Sequence, residues 1–150
     1  LLWDVGAGSG SVAVEWMRAA PRARAVAIER KAERRAMIAE NAESLGTPLL
    51  QIVAGEAPEA LYGLDAPDAV FIGGGVSNPG LIEVCWTKLK TGGRLVANAV
   101  TLEGEAALLD WQKQHGGNLT RIAISRAEPV GPFRGWRPMM PVTQYSSTKA

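Results

Sequence analysis

At 150 residues, 47% hydrophobic and 21% charged, the chain is long enough for one domain with its own core and too apolar to be disordered. A net charge of +1 gives no basic field for nucleic acid, and no apolar run reaches the ~20 residues that span a bilayer. The single cysteine, Cys85, forms no internal disulfide, which fits a reducing cytoplasm. Its place among apolar helix positions assigns it to packing, and no metal-ligating cluster stands out.

Leu1–Val5, apolar except for Asp4, reads as a buried parallel strand, and Gly6-Ala7-Gly8-Ser9-Gly10 turns the chain into a helix. Val12, Trp16 and Ala20 mark that helix's apolar face, and Pro21 stops it. A second strand, Arg24 to Glu29, ends on an acid. Strand, glycine turn, helix, strand and terminal acid are the pattern of an adenosine-containing cofactor site, in which the acid accepts hydrogen bonds from ribose hydroxyls. The dinucleotide fingerprint G-x-G-x-x-G would place its last glycine at Ser11, which disfavours NAD.

Lys31 to Leu45 is amphipathic, with Ile38, Ala42 and Leu45 inward and Arg34-Arg35 on a solvated face, and Gly46 caps it. Leu49–Val53 is a third strand and Asp68–Ile72 a fourth. Between them Glu56 reads as an acid favoured by a helix N-terminus, and after them Gly73-Gly74-Gly75 forms a wall at the carboxyl ends of the strands. Asn78 and Pro79 suggest an N-cap and first position for the helix holding Leu81, Cys85 and Leu89. Arg94–Ala99 is a fifth strand, and Thr101-Leu102-Glu103 opens a helix that ends at Gly116-Gly117, where the lone His115 reads as structural. Leu119–Ala127 alternates as strand six and Met140–Ser147 reads as strand seven, with Pro141 expected at a bulge or unpaired edge position. The stretch Glu128 to Pro138 between them is long for a hairpin and carries Arg134, Trp136 and Arg137, which marks a candidate binding lip.

The D-x-G-x-G-x-G spacing from Asp4 to Gly10 resembles motif I of class I S-adenosylmethionine (SAM) methyltransferases. That resemblance implies an α/β Rossmann-like fold with a seven-stranded, mostly parallel sheet whose last strand is antiparallel. It places Asp4, Gly6, Ala7, Gly8, Ser9 and Gly10 around the methionine part of the cofactor. Glu29 falls at the ribose and Glu56 and Ala57 at the adenine, Arg30 and Gly55 are further cofactor-binding candidates, and Gly73 and Gly74 stand in the wall between cofactor and substrate.

Further blocks narrow the likeness. Ala27-Ile28-Glu29-Arg30, Gly55-Glu56-Ala57-Pro58-Glu59-Ala60-Leu61, Phe71-Ile72-Gly73-Gly74-Gly75 and Lys90-Thr91-Gly92-Gly93-Arg94 resemble, in this order, the decarboxylating precorrin methyltransferases of cobalamin biosynthesis. The ending Pro141-Val142-Thr143-Gln144-Tyr145 is similar to the branch in which this module follows a fused tetrapyrrole methylase. The abrupt start on a strand agrees, so a preceding segment and a fused partner domain are expected.

The resemblance implies SAM-dependent methylation of carbon 15 of a precorrin and loss of carbon dioxide from its ring C acetate. It also implies S-adenosylhomocysteine as the cofactor product and a homo-oligomer, a tetramer in that family. Arg134 and Arg137 are the candidate forks for substrate carboxylates, and Glu103 is a candidate base or orienter. The competing reading, an RNA or protein methyltransferase on the same fold, is disfavoured by the charge and by the absence of an Asn-Pro-Pro-aromatic motif after strand four.

Overall fold

Successive side chains of a strand point to opposite faces, so an uninterrupted apolar run needs cover on both. In the computed structural model, which describes residues 1–150, the first strand meets this condition. Strand β1 (Leu2–Val5) sends Trp3 and Val5 into one hydrophobic layer and Leu2 into the other, with all four of its residues buried. It is followed by α1 (Ser11–Ala19), β2 (Ala25–Glu29), α2 (Ala32–Ser44), β3 (Gln51–Ala54), a short 3-10 turn (Glu59–Leu61) and β4 (Ala69–Ile72). The chain continues through α3 (Leu81–Lys88), β5 (Arg94–Ala99), α4 (Leu102–His115), β6 (Asn118–Ile122), β7 (Ser125–Val130), β8 (Phe133–Pro138) and β9 (Val142–Thr148).

Seven strands form one sheet in the order β3-β2-β1-β4-β5-β9-β6. All pairs from β3 to β5 are parallel, and β9 runs antiparallel to both of its neighbours. The expected seven-stranded sheet with an antiparallel last strand is therefore present. On one face, Ile38 and Ala42 of α2 and Ala13 and Val14 of α1 pack over Leu2, Ala25, Ala27 and Ala69. On the other, Leu81, Ile82 and Cys85 of α3 and Leu108 of α4 pack over Trp3, Val5, Val70, Leu95 and Tyr145. Cys85 is fully buried and burial pushes its thiol up to about 12, so it is an inert packing residue, as its neighbours in sequence imply.

Several local expectations are corrected. In α1 the face on the sheet is Ala13, Val14 and Met17, one position on from the expected Val12, Trp16 and Ala20, so Trp16 and Ala20 are exposed. Leu45 is exposed at the end of α2, where the helix ends and the chain leaves the sheet. Strand β3 begins at Gln51, since Leu49 is exposed and Leu50 N–H is taken by the Thr47 carbonyl in a turn. The Leu119–Ala127 alternation is two strands: β6 ends at Ile122, and Ser125–Val130 leaves the sheet to pair with Phe133–Pro138. The long connection is thus an ordered two-stranded ribbon standing off the main sheet. Pro141 lies just before β9, which pairs with β6 from Val142 and with β5 from Thr143, so the missing N–H costs no ladder bond.

Asp4 joins sheet and helix. It is 1% exposed, and its Oδ2 accepts the Ala13 N–H at 3.0 Å, satisfying one of the donors that a helix N-terminus leaves free. Its Oδ1 has no partner. Burial pushes the carboxyl from an ordinary value of 3.8 up to about 6, the Ala13 hydrogen bond opposes this, and the charge of Glu29 adds to it.

The folded protein therefore holds this proton more tightly than the unfolded chain does, so stability contributed by Asp4 is lost as pH rises from about 4 to 6. The expected penalty above that window is roughly 3 kcal/mol. Urea melts of wild type and Asp4→Asn, which keeps the acceptor for Ala13, should converge near pH 4 and diverge in favour of the variant by pH 7. Parallel stability curves would show that Asp4 ionises without penalty.

Candidate functional site

The strand order reverses direction between β1 and β4, and a crevice opens there at the carboxyl ends of the parallel strands. The glycine turn after β1 is fixed by backbone bonds: the N–H groups of Gly6 and Ala7 both donate to the Ile28 carbonyl, at 3.0 and 3.1 Å. Gly73 N–H donates to the Val5 carbonyl at 2.8 Å, which draws the loop after β4 against the turn. Gly6 has φ +69°, and a Cβ on it would stand 2.8 Å from the Gly74 nitrogen, so only glycine lets these two loops touch.

Glu29, at the tip of β2, is 4% exposed. Its Oε2 accepts the Gly8 N–H and its Oε1 accepts the Lys31 N–H, both at 3.0 Å. Each oxygen uses one acceptor position on the protein and keeps another. Arg34 Nη1 lies 3.9 Å from Oε2, and Arg35 Nη1 donates to the carbonyls of Glu29 and Arg30 at 3.1 and 2.7 Å. These two arginines of α2 therefore support the strand tip, where their sequence context suggests only a solvated face. Their place one turn into the helix after an acid-tipped strand is the signal that marks them.

The crevice encloses about 250 Å³. Eight of the thirteen residues expected around a cofactor line it: Gly6 from β1, Glu29 and Arg30 from β2, Gly55, Glu56 and Ala57 after β3, and Gly73 and Gly74 after β4. The other five shape it from behind or from the rim. Asp4 anchors α1, Ala7 and Gly8 make the backbone bonds given above, and the Ser9 carbonyl accepts Asn41 Nδ2 at 2.9 Å. Gly10, in the left-handed region at φ +77°, caps α1 against Ile38. Gly75, the third glycine of the expected wall, also lines the crevice, as do Arg34, Asn78 and Leu81, which sequence does not mark as cofactor residues. Asn78 does not cap α3, whose N-cap is Gly80; its side chain reaches across the crevice instead, donating to Glu56 Oε1 at 3.3 Å. Leu81 follows from the helix start.

The residues expected to meet substrate lie elsewhere. Glu103 is exposed in the first turn of α4, beyond the end of β5. Two residues on, Glu105 is the connected acid: it accepts Arg121 Nη2 at 2.7 Å and Thr143 Oγ1 at 2.9 Å, linking α4, β6 and β9. Arg134 and Arg137 stand on β8, three residues apart, so they project from opposite faces of the ribbon. Arg137 pairs with Glu128 at 2.9 Å, and Arg134 Nη2 donates to the Ala127 carbonyl at 3.2 Å, on the same face as the exposed Trp136.

The residues present fit a nucleoside-bearing group. A buried carboxylate with spare acceptor capacity sits at the tip of β2, and the facing glycine walls leave space that any side chain would fill. This strand order and cleft define the fold of class I SAM-dependent methyltransferases. The family model for a precorrin methyltransferase domain matches residues 1–149, and the chain belongs to that family.

Among its relatives, a precorrin-6Y C(5,15)-methyltransferase [decarboxylating] from Sinorhizobium sp is 56% identical over 99% of this chain and 36% of its own length. A cobalt-precorrin-6B C(15)-methyltransferase (decarboxylating) from Salmonella typhimurium is 32% identical over 94% of this chain and 74% of its own length. The crystal structure of the C-terminal domain of precorrin-6Y C5,15-methyltransferase from Rhodobacter capsulatus superposes with a TM-score of 0.90 at 47% identity, covering 99% of this chain and 79% of that one. The chain spans about a third of the length of the longer relatives it matches.

The contact between Gly6 and Gly74 yields a test of the crevice's construction. Gly6→Ala should cost at least about 2 kcal/mol in urea melts, from the positive φ and the backbone clash together. Gly46→Ala, at φ +81° with nothing within 4 Å, carries only the conformational cost, about 1 kcal/mol. Equal losses in the two variants would show that the Gly6–Gly74 contact is not tight.

Proposed function

We propose that this chain is the SAM-dependent module that methylates carbon 15 of a precorrin macrocycle and releases carbon dioxide from its ring C acetate, in cobalamin biosynthesis. The observation that carries the reading is the Glu29 carboxylate, buried at the tip of β2 and pinned by two backbone amides inside a glycine-walled crevice, in a chain of the precorrin methyltransferase family. Glu29 accepts the ribose hydroxyls, with Arg30 beside it. Glu56 and Ala57 meet the adenine. The Gly6–Gly10 turn, braced by Asp4, cradles the methionine part, and Gly73 and Gly74 separate it from the substrate. S-adenosylmethionine supplies a methyl group already activated as a sulfonium. What remains for the protein is in-line placement of an electron-rich carbon and exclusion of water from the acetate, which calls for few reacting side chains.

A precorrin carries many carboxylates. Arg134, with Trp136 on the same ribbon face, supplies a bidentate donor beside an aromatic surface, and Arg137 a second donor on the opposite face. Glu103, past the end of β5, serves as base or orienter. The exposed Val130, Phe133, Trp136 and Met140 on and after the ribbon support a homo-oligomer, a tetramer by family resemblance. The greater length of the relatives, of which this chain matches about a third, supports a further domain, which we read as an N-terminal tetrapyrrole methylase. A buried free thiol and the lack of any helix long and apolar enough to cross a membrane support a cytoplasmic site of action.

The deciding experiment is mass-spectrometric turnover of a precorrin already methylated at carbon 5, with SAM. Gain of one methyl and loss of one carbon dioxide is expected; an unchanged mass with SAM bound would remove the substrate assignment. Glu29→Ala should weaken SAM at least tenfold by calorimetry, since it removes a charged acceptor and frees the Gly8 and Lys31 amides. Arg134→Ala should leave SAM affinity unchanged and raise the precorrin KM several-fold. A wild-type KM would sink its role as anchor.

A further inference from the structure

Two loops face each other across the mouth of the crevice, and one side chain ties them. Asn78 Nδ2 donates to Glu56 Oε1 at 3.3 Å and to the Ala57 carbonyl at 3.4 Å, from 22 and 21 residues away in sequence. Both partners are acceptors only, so the amide nitrogen must face them. Asn78 is held in turn by its own N–H on the Gly75 carbonyl at 2.8 Å. A Cβ on Gly75 would lie 3.3 Å from Nδ2, so the third glycine of the run keeps space for the amide.

Glu56 has a second, competing partner. Arg30 Nη1 stands 3.7 Å from the same Oε1, with both side chains more than half exposed, a geometry that screens the pair and leaves it loose. Asn78 is half-buried and uncharged. It can therefore aim the Glu56 carboxylate into the crevice without neutralising it, which a cation in its place would do.

We propose that Asn78 is a positioning residue that gives the crevice its selectivity for a 6-aminopurine. By fixing Glu56 it presents an acceptor to the exocyclic amine. A 6-oxo purine would instead bring a carbonyl oxygen against the fixed carboxylate, setting two acceptors against each other where the amine would donate. The inference rests on the reading of the crevice as the SAM site and adds to it the residue that sets the base preference.

The test compares calorimetric Kd values for S-adenosylhomocysteine and S-inosylhomocysteine in wild type, Asn78→Ala, Asn78→Asp, Glu56→Ala and the Asn78→Ala/Glu56→Ala double variant. Wild type should prefer the adenine ligand by more than about tenfold. Asn78→Ala should shrink that preference to within a few-fold by weakening the adenine ligand alone, and should change nothing further once Glu56 is gone. Asn78→Asp keeps the shape but loses the donor, so it should show the same loss. Equal weakening of both ligands in Asn78→Ala would mean a collapsed loop and overturn the proposal, as would an intact preference in Asn78→Asp. A wild type that binds both ligands equally overturns the base preference alone; one that binds neither takes the SAM reading of the crevice down with it.

Discussion

The Glu29 carboxylate is the constraint on which the cleft depends. It is a charge removed from water at the tip of a strand, a situation tolerated only when hydrogen bonds replace hydration. Its partners are two backbone amides, Gly8 N–H from the turn after β1 and Lys31 N–H from the chain entering α2. One side chain thus fixes two adjacent crossovers relative to each other. The Arg35 guanidinium on the Glu29 and Arg30 carbonyls completes the arrangement from the helix side. Two consequences follow: the turn cannot swing outward without orphaning Gly8, and the strand tip cannot fray without breaking the Lys31 bond.

Charge compensation beneath the turn is asymmetric, and this has a chemical meaning. Asp4 lies behind the glycines with one oxygen unpartnered, and its carboxyl is pushed up to about 6 by burial and by Glu29. The guanidinium that faces the Glu29 carboxylate, that of Arg34, is at 3.9 Å and half exposed, while that of Arg35 is engaged by the Glu29 and Arg30 carbonyls. Arg30 and Arg34 line the crevice at the tip of β2, whereas the two buried acids lie against the glycine turn, so the turn itself offers a phosphate no cationic side chain. The same argument separates this glycine turn from dinucleotide sites, in which the turn presents a helix N-terminus to a pyrophosphate. Here the first free donors of α1 include Ala13 N–H, and that donor is already taken by Asp4.

Much of this was legible in the chain. The parallel strands were, because β1, β2 and β4 are buried on both faces and therefore read as apolar runs, with glycine following β1 and β4 and arginines flanking β2. The turn and its acid were legible because only glycine fits at Gly6 and only a strand-terminal acid can reach Gly8. What sequence could not supply was the partner of each polar side chain across long separations. Asn78 followed by Pro79 has the local chemistry of a helix cap, and that signal competes with a tertiary contact to Glu56 that no local pattern encodes. The split of Leu119–Ala127 into β6 and β7 was hidden for a related reason: alternation is the same whether a strand stays in its sheet or leaves it. Glu103 and Glu105 share the first turn of α4, and only the positions of Arg121 and Thr143 distinguish them.

The β7–β8 ribbon divides its charged side chains between two faces. Arg134 and Arg137 flank Trp136 in sequence and suggest a single fork, yet a strand's period of two puts them on opposite faces. One face then carries Arg134 with Trp136, and the other carries Arg137 with its cross-strand neighbour Arg126 and with Glu128. A flat, polycarboxylate ligand lying on the first face would meet an aromatic surface and one guanidinium. On the second it would meet two arginines and an acid that already occupies one of them. The two faces therefore differ in chemistry, the first an aromatic surface with one guanidinium and the second a strip of mixed charge.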